Sequence, residues 1–211
     1  MSDYDPDEAT ARADIYRFLS ACYYEPEPVF IAENLFTSIL IAAERLSPEL
    51  AGQARNLGQA FVDQDLQTLL VDYTRLFLGP VLARAKPYGS SWLNTPATID
   101  DNPPLSILDV YSEGGLEIDA DFAELPDHVA VELEFLYLLT FNQNQAVASD
   151  RADEVQRLKE LKRRFLTQHL GQWITPFAAA VKSEAETAFY RELAEFTETL
   201  LQLDAANLAV E

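Results

Sequence analysis

Basic residues are scarce in this chain: 15 Lys and Arg face 35 Asp and Glu, a formal charge of −20 over 211 residues. Nucleic-acid binding needs clustered Lys and Arg to neutralise phosphates, so this balance argues against a nucleic-acid partner. An anionic membrane surface is disfavoured for the same reason. Cysteine is scarcer still. The one thiol, Cys22, rules out an internal disulfide and any Cys-rich metal motif; beside Leu19, Ala21 and Tyr23 it reads as a half-buried, inert packing residue. Seven glycines, with no Asn-Gly or Asp-Gly pair, leave little material for tight hairpins. Long apolar runs are missing too. Ile39–Ala43 and Phe135–Leu139 fall far short of the ~18 residues of a membrane span. The acidic amino terminus lacks the basic and apolar regions of a secretory signal, so a cytoplasmic protein is expected. The chain is nevertheless 48% hydrophobic and 11% aromatic, enough for a substantial core.

What the sequence does contain is helical spacing. Ala9, Ala13, Tyr16, Leu19 and Tyr23 recur at three- and four-residue steps. Asp5-Pro6 opens that helix and the Glu25–Pro28 segment closes it. A second helix is expected after Pro28 through Phe36, Ile39, Leu40 and Ala43, and a third from Ser47-Pro48. Asp63 to Leu78 carries Leu66, Leu69, Leu70, Tyr73, Leu76 and Phe77 on one broad stripe. Pro80–Pro104 breaks the pattern and reads as a loop of functional size. A short helix over Leu105–Ser112 precedes Gly114-Gly115. The helix from Asp127 to Ala148 is apolar nearly all round and belongs in the middle of a bundle, with Asp127 placed as its N-cap or N1 residue. Further helices are expected over Asp150–Leu170, Thr175–Glu184 and Glu184–Asp204. The expected fold is all-α, a single helical domain over 1–211 whose halves, 1–115 and 127–211, are joined by 116–126 as a candidate swap hinge.

Charge is unevenly distributed. Between Lys86 and Arg151 there is no Lys or Arg, while twelve acids fall there, among them Asp121, Glu124, Asp127, Glu132 and Glu134. Arg151, Arg157, Lys159, Lys162, Arg163 and Arg164 follow at once. Two arrangements fit: the basic helix lies on the acidic stretch, or the stretch forms a groove for a cationic peptide. Catalytic patterns are not found. His128 and His169 have no metal-ligand spacing, Glu-x-x-His is absent, and Gly89-Ser90-Ser91 lacks the lysine of a phosphate loop. Glu132 and Glu134 point about 200° apart on a helix and form no acid/base pair. The residues therefore point to no enzyme, no cofactor and no metal.

Two blocks are more particular. One is Asp72-Tyr73-Thr74-Arg75-Leu76-Phe77-Leu78-Gly79-Pro80, continuing through Lys86-Pro87-Tyr88-Gly89-Ser90-Ser91-Trp92. The other is Glu124-Leu125-Pro126-Asp127-His128, followed by Glu132-Leu133-Glu134-Phe135-Leu136. In order and spacing, and with Phe165, His169-Leu170, Trp173 and Phe189-Tyr190 behind them, they resemble the TorD/DmsD family of redox-enzyme maturation chaperones. Gly89 stands where that family often carries glutamate, and Asp72 where many relatives carry glutamate.

The resemblance implies an all-helical, cytoplasmic, non-enzymatic chaperone, monomeric or a helix-swapped dimer. Such a chaperone binds the twin-arginine leader of a molybdenum-containing oxidoreductase precursor and delays its export until the cofactor is in place. A helical scaffold or regulator binding a folded partner is the alternative. An arginine pair followed by an apolar stretch calls for a carboxylate rim and an apolar groove. Asp121, Glu124 and Asp127 are expected in the rim, beside Pro126. Tyr73, Leu76, Phe77, Pro87, Tyr88 and Trp92 are expected in the groove, with Trp92 as a solvent-facing anchor and His128 titrating near neutrality beside them. Core packing is the competing role for Leu76, Phe77 and Tyr73, helix capping for Asp127, and that of a satisfied structural histidine for His128.

Overall fold

The computed structural model describes residues 5–79, 83–93, 106–117 and 124–210. Asp121, Pro80 and most of the expected 116–126 hinge lie outside them. Helix α1 (Pro6–Cys22) starts as the sequence indicates, with the Asp5 carboxylate accepting from the Asp7 N–H at 2.9 Å and proline supplying the first helical φ. The second expected helix is interrupted. A short α2 (Val29–Ala32) is separated from α3 (Leu35–Leu46) by Asn34, which takes φ 57°, a left-handed conformation that asparagine tolerates. Ser47 then caps α4 (Pro48–Val62) and Asp65 caps α5 (Leu66–Phe77). A single turn, α6 (Ser90–Leu93), and α7 (Ile107–Gly114) lead to α8 (Val129–Ala148).

Helix α8 is the centre of the bundle. Val131, Leu133, Phe135, Leu136 and Leu139 point in every direction around it and all are buried. The buried face of α1 (Ile15, Tyr16, Leu19, Cys22) lies along it, tied by the Asn144 amide donating to the Ala9 carbonyl at 2.9 Å. Cys22 is fully buried in this seam rather than half-buried, and burial pushes its thiol pKa up. Helix α4 lies along α11 (Ala188–Val210), which packs against α10 (Gly171–Glu184). One connected apolar core joins all of these elements.

Helix α9 (Ala152–Phe165) runs into α10 through a widened π turn, Leu166–Leu170. The turn brings the Leu166 carbonyl so close to residue 171 that a Cβ there would lie 2.1 Å from its oxygen, so Gly171 is required. Its consequence is that His169 is directed inward, toward α8.

Buried charges clip the bundle together. Asp204 accepts from the Tyr16 hydroxyl, pairs with Arg12, and meets the Lys162 ammonium at 3.1 Å, joining α11 to α1 and α9. Asp72, 1% exposed, accepts from the Thr187 N–H and hydroxyl, each at 2.8 Å, from the Glu186 N–H at 3.0 Å and from Arg75 at 2.9 Å. A side chain of α5 thus holds the Glu186-Thr187 segment that leads into α11, which begins at Ala188. Asp72→Ala should lower the unfolding free energy by about 3 kcal/mol or more, since it leaves three donors without their acceptor and takes from Arg75 its buried partner, leaving it the Glu184 carbonyl and the exposed Glu186. Urea denaturation measures this. A loss under about 1 kcal/mol, typical of an exposed pair, would contradict the assignment.

Candidate functional site

The Pro-Asp-His corner is assembled by backbone pairing. The Gly89 N–H donates to the Asp127 carbonyl at 2.8 Å and the Val129 N–H to the Pro87 carbonyl at 2.8 Å, an antiparallel bridge between Tyr88 and His128. Tyr111 of α7 donates its hydroxyl to the Pro126 carbonyl at 2.7 Å and holds the corner from the other side. Asp127 does not cap α8. Its carboxylate accepts from the Ser90 N–H at 2.8 Å and so secures the loop carrying Tyr88 and Trp92. The N-cap of α8 is His128, whose Nδ1 accepts from the Ala130 N–H at 3.1 Å. Because Nδ1 is an acceptor, the ring is neutral with its proton on Nε2. Burial lowers the His128 pKa from its ordinary value, despite the opposing pull of Glu124 and Asp127, and the buried ring serves as the helix cap.

Around this corner three tyrosines meet a set of carboxylates. The Tyr88 hydroxyl donates to Glu124 at 3.1 Å, and the Tyr88 ring packs edge-on against His128. Tyr24 stacks on the other face of His128 at 5.8 Å, and its hydroxyl reaches Glu134, which also accepts from Ser20 at 3.0 Å. Tyr73 lies within the fields of Glu124, Glu25 and Tyr88. Burial, reinforced by Glu124, pushes the Tyr73 and Tyr88 phenols up to about 12, and burial with Glu134 and Glu124 raises Tyr24 as well. Among the described residues, Glu124, Asp127 and Glu134 form no ion pair with Lys or Arg. Arg157 and Arg163 pair within α9, Arg164 reaches Glu113, and Lys162 is taken by Asp204.

The expected groove is only partly formed from the expected residues. Tyr73, Tyr88, Trp92, Glu124, Pro126, Asp127 and His128 come together, and Tyr24, Glu25 and Glu134 join them. Leu76 and Phe77 are 0% and 3% exposed and sit in the core, and Pro87 is buried by the backbone bridge, so none of the three offers an open apolar surface. Tyr73, 7% exposed and packed on Phe77 and Tyr190, and His128, 3% exposed, are likewise enclosed, which leaves Tyr24 and Tyr88 as the half-buried rings of the corner. Trp92 is half-buried, donating its Nε1–H to the Lys86 carbonyl at 2.8 Å and packing edge-on to Phe177, not standing free in solvent.

A second cluster lies below. Glu132, 0% exposed, meets His169 Nε2 at 2.9 Å and the Trp173 indole N–H at 3.3 Å. Gly89 forms its roof: a Cβ there would sit 3.0 Å from Trp173 Nε1 and 3.3 Å from a Glu132 oxygen. The missing glutamate at 89 therefore has a local reason, because its backbone rests on a buried carboxylate. No group of three or more His, Cys, Asp or Glu among the described residues is arranged for a metal ion. No described helix is long and apolar enough to cross a membrane.

Residues 43–179 match the family model described as the nitrate reductase delta subunit, well over half of the chain. The chain belongs to this family, which takes in the TorD chaperones. The TorD chaperone of Shewanella loihica is 28% identical over 94% of this chain and 93% of its own length. That of Photobacterium profundum is 27% identical over 95% of each. A solved chain from Archaeoglobus fulgidus, named for redox-enzyme maturation, is 20% identical with a TM-score of 0.48 over 94% of this chain and 96% of its own. The TorD relatives are named as chaperones, and this TorD-family chain is a chaperone and not an enzyme.

Burial pushes the Glu132 pKa up to about 7. Burial alone would lower His169, but the Glu132 carboxylate outweighs it, and the net shift is upward. Both groups hold their protons more firmly folded than unfolded, so their contribution is greatest at low pH and is lost as pH rises. The stability of the wild type relative to Glu132→Gln should therefore fall as pH climbs from the ordinary carboxylate range through about 7, followed by thermal unfolding. A difference independent of pH would contradict the buried pair.

Proposed function

We propose that this TorD-family chaperone binds the twin-arginine leader of a molybdenum-containing oxidoreductase precursor at the tyrosine-carboxylate corner. It holds the precursor in the cytoplasm and delays export until the cofactor is inserted. One observation carries the reading: Glu124, Asp127 and Glu134 converge on Tyr24, Tyr73 and Tyr88 with no Lys or Arg pairing them among the described residues. Each carboxylate keeps lone pairs beyond those used by phenol, hydroxyl or backbone donors, and a guanidinium fits such sites with paired N–H groups. The half-buried Tyr24 and Tyr88 rings, beside the enclosed Tyr73, offer surface on which a guanidinium stacks. Leu76, Phe77 and Pro87 act from beneath, as the packed floor that fixes the tyrosines. Asp121, outside the described residues, belongs to the proposed rim by its place in the acidic stretch.

Calorimetric titration with a synthetic arginine-pair leader peptide tests this. Binding should weaken about tenfold or more when both arginines become glutamine, each charge-assisted bond being worth about 1.5–3 kcal/mol. Glu124→Gln should weaken binding of the arginine peptide, most at low salt where charges are least screened. Equal affinity for the arginine and glutamine peptides would remove the corner as the leader site.

A further inference from the structure

The proposed site has a carboxylate rim but, with Leu76, Phe77 and Pro87 in the core, no open apolar seat of its own. An apolar pocket of about 370 Å³ lies elsewhere, between α2, the end of α4 and the start of α5. It is lined by Pro28, Ile31, Ala32, Phe61, Leu66 and Leu69, with Gln64 at its edge. Large side chains are left in water here: Ile31 is 55% exposed, and Val29 and Val62, beside the lining residues in the chain, are 38% and 62% exposed.

The pocket and the tyrosine corner share a helix. Leu66, Leu69 and Tyr73 stand at i, i+3 and i+7 on α5, on one face. The rise from Leu66 to Tyr73 is roughly 10 Å at 1.5 Å per residue. Glu25, whose charge acts on Tyr73, is separated from Pro28 only by Pro26 and Glu27. The segments forming the pocket walls are acidic, carrying Glu27, Glu33, Asp63 and Asp65, with no Lys or Arg from 18 to 44 or from 56 to 74. An occupant that is apolar and flanked by positive charge matches this surface, and one flanked by acids does not.

We propose that this pocket seats the apolar stretch of the same cationic leader, an inference that rests on the leader-binding reading and gives the peptide a direction. The arginine pair occupies the corner of Tyr24, Tyr88 and the carboxylates, and the chain then passes the exposed Glu25 toward Leu66, placing a large aliphatic side chain between Ile31 and Leu66. About three residues of extended peptide span the interval, at ~3.3 Å each.

The test compares wild type with Ile31→Gln, a change at an exposed position that spares the core, using two synthetic peptides. One has the arginine pair followed by a leucine-rich stretch; the other has the same arginines followed by serine and asparagine. Wild type should prefer the leucine peptide by about tenfold, the worth of burying one large aliphatic side chain. Ile31→Gln should lose that preference while binding the serine-asparagine peptide as wild type does. If wild type prefers the leucine peptide and Ile31→Gln keeps the full preference, the pocket assignment is overturned and the leader reading stands. If neither peptide binds wild type, the leader reading itself fails and takes this inference with it. A wild-type dimer that Ile31→Gln converts to monomer in sedimentation would assign the pocket to a second copy of this chain and likewise overturn the proposal.

Discussion

The backbone bridge between Tyr88 and His128 is the contact on which the site depends. Two peptide hydrogen bonds, Gly89 to Asp127 and Val129 to Pro87, join a loop between α5 and α7 to the first turn of the central helix. Asp127 adds its carboxylate to the same junction through Ser90. Without that pairing Tyr88 would not face Glu124, the His128 ring would not lie between Tyr24 and Tyr88, and Trp92 would lose its acceptor at Lys86. Gly89 lets the backbone rest closely against Trp173 and Glu132, where a Cβ would make tight contacts of 3.0 and 3.3 Å. Local backbone geometry thus sets the electrostatic character of the corner above it.

Acidity serves two purposes in this molecule, and burial separates them. Asp72, Asp204 and Glu132 are enclosed and supplied with donors from distant helices, so they clip the bundle together. Glu124, Asp127 and Glu134 are half-buried, accept from phenol, hydroxyl or backbone donors, and form no ion pair with Lys or Arg among the described residues. A net charge of −20 is therefore more than a solubility device. Several positive residues are engaged by other acids: Arg12 and Lys162 by Asp204, Arg75 by Asp72, and Arg164 by Glu113.

Much of the fold is legible in the sequence because its helices carry strong local signals. Asp5-Pro6, Ser47-Pro48 and the apolar surround of α8 act at short range and survive into the structure. The break at Asn34 does not announce itself, since a single left-handed residue inside an apolar pattern leaves the periodicity almost intact. The site was legible only in part. The two motif blocks do come together in one corner, but sequence adjacency suggests that Asp127 caps its own helix, whereas a loop some forty residues earlier claims it. Leu76 and Phe77 follow Tyr73 by one helical turn, and their burial is decided by α10 and α11, which no local pattern reveals. Tyr24, Glu25 and Glu134 were missed for the same reason. The aromatic pair Tyr23-Tyr24 ahead of Glu25-Pro26 was the available signal, and it reads equally well as a helix end.

The central claim is that a cationic peptide is received where Tyr24, Tyr73 and Tyr88 meet unpaired carboxylates. Ring-selective NMR of the tyrosines during addition of an arginine-pair peptide addresses it most directly. The account predicts that the Tyr24, Tyr73 and Tyr88 ring signals shift together while those of the enclosed Tyr16 and Tyr190 stay in place. Saturable binding that leaves all three unmoved would contradict it.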